Sequence, residues 1–153
     1  MKYKFYMQEC DKEGNLLAGS TKKDLEVDFE GLRYASMDGI LTIGKPKNIT
    51  TETFTDSQRQ RVWIPEEVTN EATKINFKCY FFGDNCENTF TAFCDYIRKG
   101  FYRYWDTARN RWFAFYCGEE IKVTSSMMKG NKYLEATFSL NNIFGRTFNV
   151  EKP

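Results

Sequence analysis

The sequence has no histidine, only three prolines and no closely spaced cysteine pair. Each absence excludes a class of chemistry. Without an imidazole the chain cannot contain a Ser-His-Asp triad, a Cys-His nucleophile pair, an HExxH zinc motif or an imidazole proton shuttle. The five cysteines, Cys10, Cys79, Cys86, Cys94 and Cys117, form an odd set without CxxC spacing. Neither a disulfide framework nor a zinc site is expected from them, and a reducing site of synthesis fits their use. No glycine-rich phosphate loop is present. Glu119 and Glu120 are adjacent on an expected strand, so they point to opposite faces instead of converging on one substrate. Catalytic, metal-binding and cofactor-binding residues are accordingly expected to be none. The formal net charge of +1 supplies no bulk field toward nucleic acid or anionic membrane. No apolar run approaches the length a bilayer requires. The first residues, MKYKFYMQECDKEGN, carry neither the apolar segment nor the cleavage site of a secretory signal, so no signal peptide is expected.

What the chain does contain is aromatic and alternating. Aromatic residues make up 17% of it, an enrichment that suits pleated strands. At 153 residues it is expected to form a single domain over 1–153, large enough for a core without staples. Residues 74–82 (KINFKCYFF) place Ile75, Phe77, Cys79 and Phe81 on one face of a half-buried strand. The period then changes. Phe90, Phe93, Cys94 and Ile97 fall at i, i+3, i+4 and i+7, which predicts a short amphipathic helix at about 88–99. Asn85 or Asn88 can cap it, Arg98 and Lys99 suit its C-terminal end, and Gly100 can take a left-handed closing conformation. One helix cannot cover a whole sheet, so most of the core must be sheet against sheet. The expected fold class is mainly β (α+β), an antiparallel β-sandwich or barrel with one short flanking α-helix. Further strands are expected at 2–8, 23–32, 40–43, 101–106, 111–117 and 133–140, with 120–124 extending the strand before it. Turns are expected at 11–19, 38–39, 107–110 and 129–132.

Three segments invite functional readings. The first, 23–32 (KDLEVDFEGL), has the cleanest alternation, with Leu25, Val27 and Phe29 on one side and Asp24, Glu26, Asp28 and Glu30 on the other. Like charges about 6–7 Å apart along a strand face repel unless screened. They read as a solvated face, or as a lumen-facing acidic row that repels DNA phosphates and lets DNA slide. A straight row converges poorly on one calcium ion. The second segment interleaves Arg98, Lys99, Arg103, Arg109 and Arg111 with Tyr102, Tyr104, Trp105 and Trp112. It looks like a stacking platform for single-stranded nucleic acid, but core on one face and solvent on the other explains it equally. The near-neutral charge does not support a phosphate footprint, so Asp106 and Arg109 are expected to brace the hairpin tip.

The third segment is the polar stretch 44–61, whose only aliphatic or aromatic residues are Ile49 and Phe54. That length suits a mobile loop, a partner-ordered assembly arm or a long hairpin. As an assembly arm its contact residues would be Lys45, Lys47, Glu52, Phe54, Arg59 and Arg61, with Trp63 as an interface anchor at its exit. Asn48-Ile49-Thr50 fits a glycosylation sequon, which carries no meaning without a secretory route.

The early segment DFEGLRYASMDG, the polar excursion ending at VWIP and the series KINFKCYFF…FTAFCDYIRKG…FYRYWDTARNRWFAFY…YLEATFSLNNIFG follow a familiar order. Over 27–145 the chain resembles bacteriophage and prophage tail proteins of the tail-tube and distal-tail (baseplate hub) families. That resemblance implies a tail-tube-like β-sandwich, ring assembly with copies of itself (commonly six-fold) around a DNA channel, and a long loop bridging subunits. It implies neighbouring tail or baseplate proteins as partners, passive DNA passage without specific nucleic-acid binding, and no membrane. It also implies location in the virion tail after assembly in the host cytoplasm, and no cofactor or catalytic residue. The length favours a tube, terminator or minimal hub over a two-domain distal-tail protein. The alternative function is a carbohydrate-binding β-sandwich module using exposed Trp63, Trp105 or Trp112 as a sugar platform.

Overall fold

The computed structural model describes residues 4–47, 49–53, 60–64, 66–67 and 69–150, with backbone alone at 50–53, 60, 61 and 128. In chain order the elements are β1 (Phe5–Cys10), β2 (Lys23–Asp24), α1 (Leu25–Asp28), β3 (Leu32–Asp38), β4 (Thr50–Thr53), β5 (Gln60–Trp63) and β6 (Thr73–Phe82). They continue with α2 (Cys86–Ile97), β7 (Phe101–Asp106), β8 (Arg111–Tyr116), β9 (Lys122–Met128), β10 (Asn131–Asn142) and β11 (Phe148–Asn149). The main sheet runs β2-β1-β7-β8-β10-β6-β3, with β11 beside β8 and β9 beside β10. Every pairing is antiparallel.

Two strands fold this sheet over. One edge of β10 pairs with β6 from Tyr133↔Phe82 to Asn142↔Thr73. Its other edge is divided, serving β9 at 131–137 and β8 only at Asn141 and Asn142. The outer edge of β8 is likewise shared between β11 at Arg111 and Trp112 and β10 at Phe115 and Tyr116. Strands that change partner along their length turn a corner, giving β-sandwich-like layering around one core. The sheet stays open. Phe5 of β1 stacks on Tyr34 of β3 at 4.0 Å, but the two strands do not hydrogen-bond.

The core follows the alternation read from sequence. Ile75, Phe77, Cys79 and Phe81 are fully buried and face Leu140, Phe138, Ala136 and Leu134 in register. Burying one such large side chain contributes about 1.5–3 kcal/mol. α2 adds Phe93 and Ile97, both fully buried, and Phe93 meets Phe138 edge-on at 5.2 Å and Phe29 at 5.0 Å. The helix therefore forms where its stripe predicts, beginning at Cys86 instead of 88. Asn85 sits at the N-cap without a side-chain cap bond, because its Oδ1 accepts from Asn88 Nδ2 at 3.0 Å. At the other end the Arg98 N–H donates to Cys94 O and the Lys99 N–H to Tyr96 O. That tightened turn closes the helix, so Gly100 does not adopt the expected left-handed conformation.

Three other expectations are corrected. Residues 23–32 are not one strand. Asp24, in extended conformation, caps α1 by accepting from the Glu26 N–H at 3.2 Å. Leu25 and Phe29, four apart, share the buried face, while Val27 is 72% exposed. Residues 40–43 do not form a strand either. Gly39 takes φ +88°, the Thr42 N–H closes a turn on Gly39 O at 3.1 Å, and only Ile40 of the apolar residues there is buried. Finally, β9 does not extend β8 but pairs with β10 across the Lys129-Gly130 turn, where both residues have positive φ.

Candidate assembly surfaces

The described residues of the polar stretch 44–61 form a stem rooted in the body and, further out, one strand and the start of its antiparallel partner. The Lys47 N–H donates to Thr69 O at 3.0 Å, and the Glu71 N–H donates to Lys45 O at 2.7 Å. Below this stem the Gly44 N–H donates to Gly145 O at 2.9 Å. Three backbone segments meet there so closely that only glycine fits. A Cβ at Gly44 would lie 1.9 Å from Glu71 O, and one at Gly145 would lie 2.1 Å from the same atom. Further out, β4 and β5 form their own two-stranded sheet, from Thr50↔Trp63 to Thr53↔Gln60.

The arm residues expected from sequence fall along these segments. Lys45 and Lys47 are exposed in the stem, and Glu52 and Arg61 are Cα partners in the outer ladder. Phe54 and Arg59 lie outside the described residues. At the return, Val62, Trp63 and Ile64 are 49%, 46% and 66% exposed. These three consecutive apolar residues are left about half or more exposed among the described residues.

The acidic residues do not form a row. Asp24 and Asp28 are engaged with the α1 backbone, Asp28 Oδ2 accepting from the Asp24 N–H at 2.8 Å. Glu26 Oε1 accepts from the Tyr34 N–H at 3.3 Å, and Glu30 is exposed beyond the helix. The straight rail assumed for a lumen-facing row is therefore replaced by a capped turn. Among the described residues, no three His, Cys, Asp or Glu side chains are placed to hold a metal ion.

The aromatic–basic run splits between inside and outside. Tyr102 and Tyr104 are fully buried, and the Tyr102 hydroxyl donates to Tyr96 O. On the opposite face, strand register aligns Asp24, Tyr6, Trp105, Trp112 and Phe148 across β2-β1-β7-β8-β11. Cations cover these rings. The Arg103 guanidinium sits 3.8 Å from the Trp112 centroid, and Phe148 stacks on the same indole at 4.8 Å from the neighbouring strand. Lys22 Nζ is 4.4 Å from Trp105 and 4.7 Å from Tyr6, and Arg146 lies 5.0 Å from Phe148. Such cation–π contacts contribute roughly 0.5–2 kcal/mol each.

With both faces of Trp112 occupied and Trp105 only 9% exposed, neither ring offers a platform to a base or a sugar. Of the three tryptophans expected to carry a sugar platform, Trp63 alone is open. Arg109 does brace the hairpin tip, its Nη1 2.6 Å from Asp106 Oδ2, while Asp106 Oδ1 accepts from the Ala108 N–H at 3.0 Å. Beside the covered rings is a shallow groove of ≈ 640 Å³ lined by Arg103, Trp112, Arg146 and Phe148 among others. Lys22, Arg146 and Phe148 were not singled out in the sequence, because only strand order brings them to this face.

The cysteines sit in or against the core. Among the described residues all five are free thiols, four of them buried. Burial pushes the Cys10 and Cys94 thiols up to about 11 and Cys79 higher still, so they stay protonated at neutral pH. No described helix is long and apolar enough to cross a membrane.

No family model and no curated protein matches the sequence. Among solved structures, the chain aligns with one from the phage P2 baseplate in its activated conformation with Ca, at 13% identity and TM-score 0.47. That alignment covers 92% of this chain and 44% of the other. A chain of the phage P2 baseplate in its activated conformation with Sr aligns at 12% identity and TM-score 0.49, with the same coverage. The chain thus spans less than half the length of the structures it aligns with.

Proposed function

We propose that this chain is a non-enzymatic structural protein of a phage-type tail or baseplate, associating with copies of itself into a ring around a DNA channel. The observation that carries the reading is the rooted arm, which holds Val62, Trp63 and Ile64 in solvent on a sheet of its own. Open sheet edges support it. Among the described residues β9 pairs only with β10, and its seven residues (KVTSSMM) contain one charge, Lys122. Val123 and Met127 beside that edge are exposed. An edge so lightly protected invites pairing, and ring closure would cover it.

The resemblance in layout over 27–145 supports this class, and the histidine-free composition removes the commonest acid–base chemistry. A net charge of +1 suits a wall past which DNA moves without being retained. Neighbouring tail or baseplate proteins would dock on the ring faces, with the arm bridging subunits. Light scattering across a concentration series, with negative-stain microscopy of the same sample, tests the proposal. Rings or tubes with a central hole are expected. A monomer at every concentration would overturn the self-assembly.

A further inference from the structure

We infer that the acidic turn around α1 of one copy docks in the arginine–aromatic groove beside β11 of the next. The inference rests on the self-assembly reading above and gives it a specific contact. Two surfaces carry it, and they lie at opposite ends of one row of residues.

The row Asp24–Tyr6–Trp105–Trp112–Phe148 crosses five strands. With neighbouring strands about 4.8 Å apart, its two ends are about 19 Å from each other. At the first end is α1, where Val27 projects 72% exposed and Asp28 and Glu30 are exposed beside it. Among the described residues neither carboxylate is in an ion pair. At the far end is the groove, where the Arg103 and Arg146 guanidiniums lie over the Trp112 and Phe148 rings. No carboxylate of the described residues lines it. Among the described residues the two surfaces are therefore complementary in charge: exposed carboxylates around Val27, and guanidiniums held over aromatic rings.

One molecule cannot bring them together. The separation exceeds the Debye length of about 8 Å at physiological ionic strength, so the acidic turn does little to neutralise its own groove. Burial lowers the Arg103 pKa below its ordinary value, with Asp11 opposing the shift, and the guanidinium donates to Gly14 O, so Arg146 is the more available cation of the pair. A neighbour displaced by one subunit width along the row places its α1 against this groove. The contact is heterologous, head to tail, and such a contact closes into a ring when the rotation between copies permits.

Charge reversal tests the pairing at exposed positions, Arg146→Glu and Glu30→Arg, with thermal unfolding to confirm that each variant folds. In sedimentation velocity, either reversal alone is expected to raise the concentration needed for assembly by about tenfold or more, as losing a charge pair at an interface does. An equimolar mixture of the two variants is expected to assemble again. Where copies of the two variants alternate, the groove carrying Arg146→Glu meets the turn carrying Glu30→Arg. The unaltered Arg146 of the second variant meets the unaltered Glu30 of the first, so every contact again joins opposite charges. Single variants that assemble like the original chain would overturn this contact while leaving self-assembly standing. Loss in the single variants without recovery in the mixture would overturn it too. If the unaltered chain stays monomeric throughout, the assembly reading itself fails.

Discussion

The ladder between β6 and β10 and the ladder between β4 and β5 use the same antiparallel hydrogen bonding and reach opposite ends. In the first, alternate residues from Ile75 to Phe81 meet a matching face on β10 and disappear into a core closed by α2. In the second, Val62 and Trp63 remain in water. Backbone pairing gives both segments their shape, but net hydrogen-bond contributions are modest and only burial adds large stability. The body thus carries the fold. The arm, held by its glycine junction, is free to carry association.

That contrast can be broken from either side. The largest effect belongs to the body: Phe138→Ala is expected to cost about 3–5 kcal/mol, because the ring contacts Phe77, Phe90 and Phe93 at the centre of the core. Urea denaturation reads it directly. A smaller loss belongs to the junction. Gly44→Ala would drive a methyl group into Glu71 O, so the stem must shift while the sandwich core stays assembled. Hydrogen exchange is expected to speed at the Lys47 and Glu71 amides and to stay slow in β6 and β10.

A pH effect sharpens the distinction further, since it arises in the body alone. The Cys10 and Cys94 thiols keep their protons up to about 11 in the folded chain, against an ordinary value of 9.0. As pH rises past 9 the unfolded chain loses protons first, so stability that is complete below pH 9 falls progressively toward pH 11. Urea midpoints measured at pH 8, 9.5 and 10.5 should decline, and a Cys10→Ala, Cys94→Ala double variant should decline less.

The sequence was most legible where local pattern and tertiary burial coincide. Residues 74–82 and 133–140 alternate in sequence and bury the same alternate residues, and Phe93 and Ile97 mark the helix stripe that packs on Phe138 and its neighbours. The Asp106–Arg109 brace was legible because its partners are three residues apart. The segment 23–32 misled because Leu25 and Phe29 fit both period 2 and a helical turn. Asp24 as a cap and Gly31 at φ +95° decide for the turn, since a Cβ at Gly31 would lie 2.3 Å from Phe82 O. The arginine–aromatic groove was not legible. Arg103 and Trp112 meet through the β7–β8 ladder, and only the placement of β11 beside β8 adds the distant Arg146 and Phe148 to them.

The most direct measurement compares the unaltered chain with a Val62→Ser, Trp63→Ser, Ile64→Ser variant, following sedimentation and thermal unfolding on the same samples. The expected result is an unfolding midpoint close to that of the unaltered chain, because exposed residues contribute little to the fold, together with loss of the assembled species. A variant that assembles as the unaltered chain does would contradict the division between a body that folds and an arm that associates.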